Sequence, residues 1–94
     1  MTIEETLMQR GSVYGDFKDQ LSCVGLIVGA MNLCASQNGV IVTNENTAEW
    51  HYLAIKLARI ASSPSHTDSY HDLAGYALLM ENERLKLTGN ELLK

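Results

Sequence analysis

Between about Asp16 and Gln37, apolar residues recur at alternating spacings of four and three: Phe17, Leu21, Val24, Val28, Met31 and Ala35. That heptad-like rhythm keeps one face of a helix apolar and does not fit the two-residue period of a strand. A second stripe, Cys23, Ile27, Ala30 and Cys34, adjoins the first, so the apolar surface is wider than one neighbouring helix covers. The segment therefore predicts a helix that meets more than one partner, another subunit among them. Gly25 and Gly29 share one face and would let another backbone come close, at about 1 kcal/mol each in helix stability. That backbone belongs either to a tight crossing within the chain or to a second copy.

The other stretches repeat the helical rhythm. Glycines at 11, 15, 39, 75 and 89 and the single proline, Pro64, separate them. A short helix over 3–10 is marginal alone and has to dock. Residues 38–46 hold the β-branched trio Val40, Ile41 and Val42 and read as a loop or short extended piece, with Thr43 or Asn44 capping the next helix. A helix over 46–62 is expected to bury Trp50, Leu53, Ala54, Leu57, Ala58 and Ala61, with Lys56 and Arg59 on another face. Pro64 forces a turn capped by Ser65 or Thr67, and a helix over 68–87 turns Tyr70, Leu73, Ala74, Ala77, Leu78 and Leu85 inward. The expected fold is all-α, one compact domain over 1–94 with three to four helices, assembling as a homo-oligomer.

Charge and composition narrow the function. A net charge of -4 argues against general DNA or RNA binding, which rests on neutralising phosphates, while leaving room for a small anion at a local cationic cluster. The start, MTIEETLMQR, is acidic and lacks the apolar stretch of a signal peptide, so a cytoplasmic protein is expected. The run without charge or strong polarity, Cys23 to Met31, is far shorter than the roughly 20 residues that span a bilayer, so no membrane partner is expected. Cys23 and Cys34 stand about 16 Å apart along one helix, too far for a disulfide, and read as reduced core thiols.

Few residues are placed for catalysis. His51, His66, His71 and Asp72 suggest a metal-dependent phosphohydrolase, but the late aspartate such a site needs does not follow. Glu45 with Glu49 and Asp68 with Asp72 form two carboxylate pairs, each a turn apart. Such pairs hold Mg²⁺ in all-helical pyrophosphohydrolases resembling MazG, whose acidic residues are spaced differently. Helix N-terminal acids favoured by the macrodipole account for the same four residues. Phosphate loops, CxxC pairs and nucleophile elbows are missing from the sequence, and the expectation is a protein that is not an enzyme, with no cofactor and no metal. The piece that stands out is RGSVYGDF at 10–17, where Tyr14 lies near Arg10 and Lys18, as stacking a base and pairing a phosphate require. The same ring could instead set the angle between helices.

RGSVYGDF at 10–17, LAIKLARI at 53–60 and DSYHDLAGYALL at 68–79 together resemble the phage anti-CBASS protein 2 family. The resemblance runs from about residue 5 to 85. It implies a helical homohexamer that sequesters cyclic oligonucleotides such as cyclic GMP-AMP in the cytoplasm of the infected bacterial host, so that the immune effector is not activated. It also implies an aromatic against the base, which falls on Tyr14, and a lysine on the next helix, where only Lys18 stands. Lys56 and Arg59 become phosphate partners, with an exposed cation pair or a bridge to Asp68 or Asp72 as the alternative, and a second pocket for cyclic trinucleotides is implied elsewhere in the hexamer. With the matched residues Arg10, Gly11, Phe17, Asp68 and Ser69, these make the candidate ligand-binding set. Ile55 stands where the motif has His, and Tyr70 where it has Trp. The alternatives carried forward are the MazG-like Mg²⁺-dependent enzyme and a protein-binding inhibitor module.

Overall fold

The computed structural model describes residues 2–6, 8 and 16–87, and in that region the chain is all-α. Three long helices follow one another: α1 (Phe17–Gln37), α2 (Asn44–Ser62) and α3 (Thr67–Leu87). Residues 3–6 and 8 are helical too; the rest of the helix expected over 3–10 lies outside the described residues.

Each boundary has a local cause. Asp16 caps α1 by accepting the Lys18 amide at 3.1 Å. At the far end, the Val40 amide donates to the Ala35 carbonyl and the Gly39 amide to that of Ser36. This is a Schellman closure, and it needs the positive φ of 69° that Gly39 adopts. α2 starts two residues earlier than expected because Thr43 builds a capping box: its Oγ1 accepts the Asn46 amide, and Asn46 Oδ1 accepts the Thr43 amide. Between them residues 38–43 form a loop, with Ile41 88 % exposed. α3 starts at Thr67 after a turn in which the His66 amide donates to the Ser63 carbonyl.

α1 and α3 each pack along α2 and share little surface with one another. Gln20 near the start of α1 bonds Ser62 at the end of α2, and Glu49 near the start of α2 pairs with Arg84 near the end of α3. Both neighbouring pairs are therefore antiparallel, and the three helices form a single layer with α2 in the middle. α3 takes the face of α2 carrying Glu49, Tyr52 and Lys56. Ala54 and Ala58 lie about 200° round the helix from Tyr52 and Lys56. They face the other way, toward α1, and are almost fully buried.

A single layer leaves little interior, and several expected core positions are not in it. Among the described residues the buried apolar ones are Val28, Ala35, Ala54 and Ala58. Phe17, Leu21, Leu57, Tyr70 and Leu78 are exposed, as are Ala61, Ala74 and Ala77, because the periodicity marks a face but not whether a second layer covers it. Trp50, Leu53, Leu73 and Leu85 are half-buried. Cys23 is half-buried and Cys34 exposed, both free thiols, so Cys34 is not a core residue. α1 is also long and apolar enough by length and composition to cross a membrane, with a mean hydropathy of 1.2. The shorter uncharged run read from the sequence missed this, because Ser, Asn and Gln interrupt the pattern without adding charge.

Candidate functional site

Antiparallel pairing of α2 and α3 sets residues whose numbers sum to about 130 opposite one another. Lys56 Nζ accordingly donates to Asp72 Oδ2 at 2.9 Å, and the Tyr52 and Tyr76 rings meet at 5.2 Å between centroids, tilted by 37°. Lys56 Nζ lies 5.9 Å from the centre of the Tyr76 ring, within cation–π range. Lys56 is 8 % exposed, while the Asp72 side chain is about half exposed. Of the readings open for Lys56, the bridge to Asp72 is the one that forms: its stem is covered and its charge is held by one carboxylate and one ring.

The hydrogen bond from Lys56 holds the Asp72 carboxyl below the usual carboxylate range. Partial burial opposes this, and the charge of Lys56, with smaller effects from His71 and Arg59 nearby, reinforces it. Along α3, His71, Asp72, Gly75, Tyr76, Leu78 and Leu79 line an open groove of about 420 Å³. The edge of the groove thus carries a polar pair, and its length is apolar.

Antiparallel packing also gathers one end of the layer. The start of α1, the end of α2 and the start of α3 meet there, tied by the Gln20 to Ser62 hydrogen bond. Of the candidate ligand-binding residues, Phe17, Lys18, Arg59, Asp68 and Ser69 belong to that end, and Lys56 lies about a turn inward. Phe17 is 74 % exposed. Asp68 Oδ2 stands 3.7 Å from His66 Nε2, and Ser69 is fully buried. Arg10, Gly11 and Tyr14 lie outside the described residues.

The two motifs LAIKLARI and DSYHDLAGYALL, distant in sequence, touch through Lys56, Asp72 and Tyr76. Tyr70, in the position of the motif's Trp, donates its hydroxyl to the Pro64 carbonyl at 2.8 Å and so braces the turn between α2 and α3. Tyr52 and Tyr76 were not singled out as site residues, and His71 only as a metal ligand. The signal that would have found them is the antiparallel register, which a helical pattern alone does not supply.

The carboxylate pairs do not converge. Glu45 and Glu49 start α2 while Asp68 and Asp72 start α3, so antiparallel packing puts them at opposite ends. Glu49 and Lys56, the residue facing Asp72, are about 10 Å apart along α2. Glu49 is paired with Arg84 and Asp72 with Lys56. Among the described residues, no three His, Cys, Asp or Glu side chains come together as a metal site would need. His51 Nδ1 is hydrogen-bonded to the Thr47 carbonyl instead.

No curated protein and no solved structure matches the chain. One family model does match it, over residues 2–84, a span that takes in nearly all of the three long helices and the Lys56, Asp72 and Tyr76 cluster. The chain belongs to the DUF6378 family, described as a domain of unknown function.

Proposed function

We propose that this protein is a non-catalytic binding protein that sequesters cyclic oligonucleotide messengers of bacterial anti-phage signalling, acting as a homo-oligomer in the cytoplasm of the infected host. The observation that carries the reading is the gathering of cations and rings at one end of the layer. Lys18 and Arg59 stand there with Phe17; Lys56, paired with Asp72, lies about a turn inward beside the Tyr52 and Tyr76 pair. Aromatic faces for bases and cations for phosphates are what a cyclic oligonucleotide needs, and neither requires a reacting group. The three-motif resemblance supports the same reading, since its first motif leads directly into Phe17 at that end.

The test is calorimetry and thermal shift on the purified full chain against cyclic di- and trinucleotides, with linear nucleotides as controls. Tight binding with the intact ligand recovered after denaturation supports sequestration. Arg59→Ala is expected to weaken that binding with the helicity unchanged, and Tyr14→Ala to abolish it. A folded protein that binds none of these ligands overturns the proposal. So does Mg²⁺-dependent turnover of a nucleoside triphosphate, which would instead establish the pyrophosphohydrolase reading.

A further inference from the structure

α1 turns Val24, Val28, Met31 and Ala35 toward the layer, at least half covered. Its opposite face carries Ser22, Gly25, Leu26, Gly29, Leu33 and Ser36, all exposed. A lone surface helix of a water-soluble protein carries charge on its outer side. From Gln20 to Gln37 there is none on any side. Leu26 and Leu33 are 77 % and 60 % exposed. A methyl group built on Gly25 or Gly29 would meet no atom within 4 Å, so the close backbone approach these glycines allow is not made within the described part of the protomer.

We propose that this outer face of α1 is the contact surface for a second copy of the chain, the α1 helices crossing at Gly25 and Gly29 with Leu26 and Leu33 of each copy packed beside the glycines of the other. The face is self-complementary, as a two-fold contact must be: it offers both the notches and the side chains that fill them. Its lack of charge gives a charged partner nothing to pair with. A bilayer fits less well, because α1 is packed along α2, which would bring Glu45, Glu49 and Arg59 toward hydrocarbon.

The inference does not rest on the ligand reading and is measured without nucleotide. Sedimentation equilibrium of the full chain over about 1–100 µM covers the range of micromolar association. At least twice the protomer mass of 10.4 kDa is expected. Leu26→Glu is expected to weaken association about 100-fold or more, as for a central interface residue. Gly29→Leu builds its Cβ where no described atom lies within 4 Å and improves helix propensity, and it is expected to do the same by blocking the crossing. Circular dichroism of both variants is expected to match the parent. A monomeric parent overturns the proposal, as does association unchanged in both variants. Co-sedimentation of the parent with phosphatidylcholine vesicles in place of self-association also overturns it and assigns the face to a membrane.

Discussion

At the scale of single residues, the Lys56 to Asp72 bond is the contact with most at stake, because its two ends differ in exposure. Asp72→Asn leaves a covered ammonium without its counter-charge. That substitution is expected to destabilise the fold, though by less than the loss of a fully buried pair because Asp72 is half open to water. Lys56→Met is expected to cost less, since a similar shape replaces the charge and the exposed carboxylate is rehydrated; urea denaturation of the two variants gives the order. The same bond makes stability depend on pH. Asp72 has a lowered pKa in the folded protein, so it contributes stability fully above its unfolded value near about 4 and loses it as pH falls through the lower folded value. An acid titration followed by circular dichroism is expected to show a loss of stability below about pH 4 that is smaller in Asp72→Asn.

At the scale of elements, caps and crossings differ in how openly the sequence displays them. Thr43 as a cap was legible, because a hydroxyl before a helical run is a local signal. Thr43→Ala removes one half of the capping box and is expected to cost about 1 kcal/mol in the thermal or urea unfolding of the full chain. The burial of α2 was legible only in part. Leu57, expected in the core, is exposed, whereas Ala54 and Ala58 are almost wholly covered, because close approach of two helices selects small side chains at the crossing. Leu57→Ala is therefore expected to cost well under the roughly 2–5 kcal/mol of a core truncation. Ala58→Leu is expected to cost about 1–3 kcal/mol by overpacking; comparing their unfolding midpoints separates the two effects.

At the scale of the whole molecule, the Cα radius of gyration of 15.8 Å exceeds the roughly 12 Å of a compact chain of this length. A layer one helix thick has no second face to close a core, and among the described residues three of the four buried apolar ones are alanines. Thermal stability is accordingly expected to rise with protein concentration, as it does when folding is linked to association. Midpoints measured over a hundredfold dilution series check this, and a midpoint that does not move indicates a protomer stable alone. By itself the sequence determined the three long helices, their stops at Gly39 and Pro64 and a cap at Thr43 or Asn44, because caps, breakers and the helical period act within a few residues. It also marked Lys56 and the wide apolar surface of α1. Only the tertiary structure decided that Lys56 faces Asp72 and Tyr76 and that the acidic pairs stand at opposite ends. It alone decided, too, that one side of α1 stays exposed in the protomer. Those outcomes depend on the antiparallel register and on how many layers form, and each is set by contacts between residues far apart in the chain.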